Sequence, residues 1–242
     1  MKILRDNATR AFRRGPFQVK RMRPGAILGV GTDPAFGPLS VIDHANLDVG
    51  TVVSMHEHNN DEILSYMWRG TMVHEDSAGH RIPISSSKLM MMNAGESFWH
   101  EESTPDVPVE MLQIFIRPHT ADLPGRVQFY DPPQKLPDGE WHLIAGPESS
   151  NAPLKIRQRV FVSDAHLEKS SQLRVPGVEG MNPWLYVMDG AVTLGKARLG
   201  KGDAATDFAA AARISAETET TLVLFLVDRS APASTAGTIS GQ

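Results

Sequence analysis

Apolar and polar residues alternate in short runs along most of this chain, at Leu39 to Ile42, Thr51 to Ser54, Glu62 to Trp68, Thr71 to Glu75, Leu89 to Met92 and Glu110 to Ile116, with Gly, Pro, Asn and Asp between them. Alternation with a period of two turns one side of a strand to a core and the other to solvent. Many such runs with turn residues between them predict an all-β sandwich or barrel. Phe17 to Met22 already alternates, so strand character begins close to the N-terminus. Helical spacing is nearly absent, and the best stretch, Ala204 to Ala212, is too short and too interrupted by Thr206 to predict a helix. Between 117 and 155, Pro118, Pro124, Pro132, Pro133, Pro137, Pro147 and Pro153 break any long element, which reads as a connector. Strand signals resume at Lys155 to Val162, Ser171 to Val175, Trp184 to Met188, Ala191 to Leu194 and Thr220 to Val227. The expected organisation is two β domains, residues 1–130 and 131–242.

A faint repeat supports that division. Tyr66-Met67-Trp68-Arg69-Gly70-Thr71 and Tyr186-Val187-Met188-Asp189-Gly190-Ala191 align at an offset of 120 residues and read as the same strand-turn-strand unit. The end of the chain, Ser230 to Gln242, is Ala, Ser, Thr and Gly with little bulk to bury, and is expected to be mobile.

The chemistry concentrates in two dipeptide-spaced pairs, His56-x-His58 and His100-x-Glu102. Residues at i and i+2 of a strand share a face, so two such pairs on facing strands bring three imidazoles and one carboxylate together. That donor set suits one divalent transition metal, with Fe(II) the expected occupant and Ni, Cu, Mn or Zn also suited, better than it suits Ca or Mg. The repeat offset carries His56 and His58 onto Pro176 and Val178, and beyond the connector only His166 remains. The second half is therefore expected to keep the scaffold and lack the ligands. By the same parity Phe98 shares a face with His100 and Glu102, and Ile63, Ser65 and Met67 share the inner side of their strand. Ile63, Met67 and Phe98 form an expected apolar substrate pocket, while Trp68, Trp99 and Glu101 face away. His44, His74, His80, His119 and His142 have no partner at ligand spacing and are expected in surface or turn roles.

Composition narrows the function classes. Lys and Arg total 24 against 28 acids, a net charge of −4 that gives no reason to expect direct nucleic-acid binding. No Cys occurs, which excludes disulfides, thiolate metal sites and cysteine nucleophiles. The longest apolar run, Leu222 to Val227, is strand-sized, so no membrane span is expected. Lys2, Arg5, Arg10, Arg13, Arg14, Lys20, Arg21 and Arg23 face only Asp6 in the first stretch, a superficial likeness to a transit peptide. The strand alternation of Phe17 to Met22 reads it instead as part of the fold, and a cytoplasmic location is expected.

Gly50, His56-x-His58, Glu62, Tyr66, Gly70, Ala94-Gly95 and His100-x-Glu102, joined by His74-Glu75-Asp76-Ser77-x-Gly79, resemble the metal-binding half of a pirin-type bicupin. The length resembles the shorter bacterial branch associated with quercetin 2,3-dioxygenase activity. The resemblance implies an all-β bicupin of two tandem cupin barrels, a metal on His56, His58, His100 and Glu102, Glu102 as the catalytic proton acceptor, and a flavonol-like or related small aromatic substrate with O2. Cupins usually carry a glutamate ligand six residues ahead of the closing Gly. Here seven residues separate Glu62 from Gly70, which turns Glu62 to the opposite face and leaves Glu102 as the carboxylate. The family's usual His-Pro-His-Arg/Lys-Gly-Phe-Glu is altered, with Glu57, Asn59, Asn60 and Asp61 replacing the Pro, basic, Gly and Phe positions, expected to add negative charge at the site mouth. A Pro-Gly-Asp turn is replaced by Ser85-Ser86-Ser87-Lys88. Resemblance to eukaryotic pirins implies the alternative of a metal-carrying regulatory or stress-response protein with a protein partner, using the basic N-terminal face. A metal-free sugar or small-ligand binder is the third reading.

Overall fold

The computed structural model describes residues 1–242 except 30, 32, 135, 136 and 210. The alternating runs become strands of four sheets. In the first half, seven strands form one wall, in the order Arg126–Tyr130, Leu89–Asn93, Glu62–Arg69, Val109–Ile116, Leu39–Leu47, Phe17–Met22 and Phe12–Arg14. Four form the other sheet, Val52–His58, Phe98–Ser103, Thr71–Asp76 and Arg81–Ser85. The second half repeats the plan. Its smaller sheet is Gln172–Arg174, Arg213–Ala216, Ala191–Leu194 and Ala197–Gly200, and its larger sheet is built on Asn182–Asp189, Thr220–Val227, Val160–Leu167 and His142–Pro147. The fold is thus all-β with two cupin barrels in tandem. Among the described residues no helix is long and apolar enough to cross a membrane.

The repeat is visible where the halves meet. Tyr66 donates its hydroxyl proton to Asp164 at 2.9 Å, and Tyr186 meets His44 Nδ1 at 2.7 Å. The tyrosines are 120 positions apart (186 − 66), and so are their partners (164 − 44), so the two contacts are the same contact made in both directions. His44 also bonds Glu110 at 2.9 Å, and His142 bonds Asp164 at 3.0 Å. These two histidines are therefore half or fully buried links between strands, not surface residues as the sequence suggested, because a buried polar side chain between two packed barrels must find a partner.

The chain ends cross between the halves. Lys2–Leu4 pairs antiparallel with Ala204–Thr206 of the second barrel, and Ala204–Thr206 is a strand. Residue 210 of that Ala-rich stretch lies outside the described residues. At the other end, the segment expected to be mobile packs against the first barrel: the Ser234 N–H donates to Pro118 O at 2.8 Å, the Thr238 N–H to Asn59 O at 2.9 Å, and Ser240 is fully buried. Its order comes from hydrogen bonding at close range, which small residues permit, and not from the apolar bulk whose absence prompted the expectation.

Candidate metal centre

The smaller sheet of the first barrel sets the site. Antiparallel pairing of Phe98–Ser103 with Val52–His58 places Phe98 opposite His58 and His100 opposite His56. Directly opposite residues project to one side, so both histidine pairs face inward. Between His100 and Glu102 the register steps from His56 to Val53, a bulge that gives Val52–His58 one extra residue. On its other edge the same strand pairs with Thr71–Asp76, placing Glu102 opposite His74 and His100 opposite Asp76. His74 and Asp76 thereby join the same face.

The ring centroids of His56 and His100 lie 4.5 Å apart, those of His56 and His58 4.9 Å, and those of His58 and His100 5.2 Å. Nε2 of His56 and Nε2 of His58 are 3.1 Å apart. Two ligand nitrogens about 2.1 Å from one ion and at right angles stand roughly 3 Å from each other, so this spacing fits a shared ion. Potential ligand atoms of His56, His58 and His100 all lie within 4.8 Å of one another, and those of His74, His100 and Glu102 form a second such group. His100 belongs to both.

Outward ring nitrogens are tied down. His56 Nδ1 donates to Ser54 O at 2.9 Å and His58 Nδ1 to Asp61 Oδ2 at 2.8 Å, which leaves each Nε2 turned to the cluster. His74 is held the other way round, through Nε2 to Asp76 Oδ2 at 2.8 Å, leaving Nδ1 free. Asp76 also bonds His80 Nδ1 at 3.0 Å. Carboxylates behind histidines in this way orient and enrich metal ligands. His100 has no such tether: both its ring nitrogens, together with His74 Nδ1 and Glu102 Oε1, are buried without a hydrogen-bond partner. Buried polar atoms are nearly always paired; a cation would satisfy His74 Nδ1, Glu102 Oε1 and one nitrogen of His100, whose other nitrogen points to the opposite side of the ring.

The electrostatics agree with neutral donors. Burial, followed by the neighbouring His56, His58 and His74, pushes His100 down to about 2, so its ring is unprotonated at neutral pH. Burial lowers His56 and His74 as well. Burial raises Glu102 to about 7 against a lowering bond from Gln113.

The remaining sequence expectations fall out unevenly. Ile63 and Phe98 pack with Phe115, Met92 and Ile239 in a small apolar cluster, and the Phe115 ring lies 5.9 Å from His58. Met67 packs instead into the larger core with Met72 and Ile84. Glu62 points away from the cluster to the junction of the halves, where it accepts from Asn93 and from the Arg157 N–H. Asp61 does not add charge at the mouth: it is fully buried as the partner of His58, because the one-residue parity of its position turns it inward. Trp99 is exposed. His74, expected in a surface or turn role, is instead fully buried in a strand of this sheet and bonded to Asp76, and His74-x-Asp76 carries the same i, i+2 signal that singled out His56-x-His58.

Comparison with known proteins gives a consistent picture. The Pirin family matches residues 18–116, and a family described as the quercetinase C-terminal cupin domain matches residues 143–228. A quercetin 2,3-dioxygenase of Escherichia coli O157:H7 is 28% identical over 196 residues, 78% of this chain and 82% of that protein. The crystal structure of YhhW from Escherichia coli superposes with a TM-score of 0.79 at 22% identity, over 93% of this chain and 96% of that one. The bacterial pirin YhhW in complex with nickel(II) gives the same TM-score at 21% identity, over 93% of this chain and 97% of that one.

Proposed function

Since this chain belongs to the pirin family, we propose that it is a mononuclear metal-dependent dioxygenase of the quercetinase type, acting on a flavonol-like or related small aromatic substrate with O2. One observation supports this reading: ligand atoms of His100 gather with those of His56 and His58, and His100 also gathers with His74 and with Glu102, whose Oε1 is buried without a partner. In this reading His56, His58, His100 and Glu102 hold one divalent transition ion, Fe(II) first and Ni, Cu, Mn or Zn also suited to the donors. When bound, such an ion supplies the redox step and polarises a coordinated oxygen.

The chain's own residues do the rest. Asp61 and Ser54 O keep the His58 and His56 rings turned so that Nε2 faces inward. Ile63, Phe98 and Phe115 keep water from one side of the site and offer an apolar wall to a planar ring. Glu102 also accepts the hydroxyl proton of the substrate through its carboxylate. The partner-binding alternative draws on the basic N-terminal residues, but several of these are paired with acids of the same chain: Arg5 with Asp203 at 2.7 Å, Lys20 with Asp6 at 2.5 Å and Arg21 with Asp43 at 2.7 Å.

The test pairs elemental analysis of gently purified protein with oxygen uptake on a flavonol panel that includes quercetin. Wild type is expected to carry one transition ion per chain and to consume O2. Glu102→Gln is expected to lose more turnover than metal. Fully loaded wild type that consumes no O2 with any flavonol, or Glu102→Gln with undiminished turnover, overturns the dioxygenase reading.

A further inference from the structure

The residue that steers His58 is itself held by the far end of the chain. Asp61 is fully buried. Its Oδ2 takes the His58 Nδ1 proton, while its Oδ1 takes the Ser240 N–H at 2.9 Å and the Ser240 hydroxyl at 2.7 Å. The Ile239 N–H reaches Oδ2 at 3.1 Å. A buried carboxylate is tolerated only with such donors, and most of them come from a segment some 179 residues later in the chain.

That segment is clamped on its other side. Ser240 O accepts from Arg117 Nε at 2.7 Å and from Ser40 Oγ at 2.6 Å, and Thr238 exchanges bonds with Asn59, the Asn59 N–H donating to Thr238 Oγ1 at 2.8 Å. The Ile239 side chain joins Ile63, Phe98 and Phe115 beside the centre. The approach is so close that a methyl group on Gly237 would meet Asp61 Oδ1 at 2.5 Å as well as Ser240 Oγ.

We infer that Gly237 to Ser240 is a positioning element of the metal centre, which fixes Asp61 and through it the ring of His58. The inference rests on the metal-binding reading above. Coupling of this kind is reciprocal: the docked segment favours the ion, and the ion favours the docked segment.

The experiment measures Ni(II) affinity by competition with a chromophoric chelator, and melting midpoints with and without Ni(II). It uses wild type, a deletion of residues 237–242, Gly237→Ala, Ser240→Ala, Asp61→Asn and the Ser240→Ala/Asp61→Asn double variant. Deletion and Gly237→Ala are expected to weaken Ni(II) binding by roughly 10- to 100-fold, the range seen when a partner behind a metal ligand is lost. Ser240→Ala, which keeps both backbone donors, should weaken it by only a few-fold, and should add nothing on the Asp61→Asn background. The rise in midpoint that Ni(II) produces should shrink in these variants, whereas a purely structural segment would lower both midpoints equally. Hydrogen exchange at the Ile239 and Ser240 amides should slow when Ni(II) is added to wild type. If the deletion fails to fold, the point variants and the exchange measurement carry the test. Folded variants with wild-type affinity and an undiminished Ni(II) shift overturn this inference alone; wild type that binds no Ni(II) overturns it together with the metal-binding reading.

Discussion

The smaller sheets of the two barrels carry corresponding strands in the same order and fill them with opposite chemistry. In the smaller sheet of the first barrel, the inward positions include His56, His58, His100, Glu102 and His74. In the matching sheet of the second, Leu173, Ile214, Ala216, Val192 and Leu194 pack into one apolar cluster. The repeat offset places Leu194 where the first barrel has His74. The strand equivalent to Val52–His58 is cut from seven residues to three, Gln172–Arg174. A cupin barrel is thus stable with either filling, but the polar filling leaves donors unpaired and the apolar one leaves nothing to bind.

Substitutions that cross this divide should have the largest effects. His100→Ala is expected to abolish metal binding, taking stoichiometry from one ion per chain to none in elemental analysis, whereas Leu194→Ala should leave the metal content unchanged. Ile214→Ala should destabilise the protein by roughly 2–5 kcal/mol, the usual cost of such a deletion in a packed interior, measured by denaturant unfolding, with no loss of metal.

Glu62 sharpens the comparison at the junction, because its counterpart by the offset of 120 is Asn182, which does not titrate. Burial holds Glu62 at about 7 against an ordinary 4.5, outweighing the lowering bonds from the Arg157 N–H and Asn93. The folded protein therefore binds this proton more tightly than the unfolded chain. The stabilisation is complete below pH 4.5 and is lost as pH rises through 7. For a shift of this size the loss amounts to about 3 kcal/mol, and Glu62→Gln should remove it from the pH profile of unfolding. A profile identical to wild type between pH 4.5 and 8 would contradict the burial argument. Smallest of the four, His100→Leu should turn the first barrel toward the second. By removing two unpartnered nitrogens from the interior it should stabilise the metal-free protein by roughly 1–3 kcal/mol, seen as a raised midpoint in the absence of metal.

Much of this architecture was legible before folding. The period-two runs predicted the strands, and the offset linking Tyr66 to Tyr186 predicted the second barrel. His56-x-His58 and His100-x-Glu102 were legible because i, i+2 spacing on a strand is a local property that needs no knowledge of neighbours. The shift of Glu62 away from the centre followed from counting residues to Gly70. Met67 was assigned by the same parity, yet it packs with Met72 and Ile84 apart from the Ile63 and Phe98 cluster. Parity chooses the side of a strand and not the depth along the barrel.

What the sequence determined by itself was therefore local: which residues form strands, which side each presents, and which donor pairs travel together. What only the tertiary structure decided was who meets whom across long separations. The pairing of His74 with Glu102, the bonds of Tyr66 to Asp164 and of Tyr186 to His44, and the docking of Ser240 on Asp61 join residues that no window of the sequence contains together. Strand registers and barrel closure set those meetings, and a bland run of Ala, Ser, Thr and Gly carries no periodic signal of the partner its backbone will find, because backbone N–H groups are the same in every residue but proline.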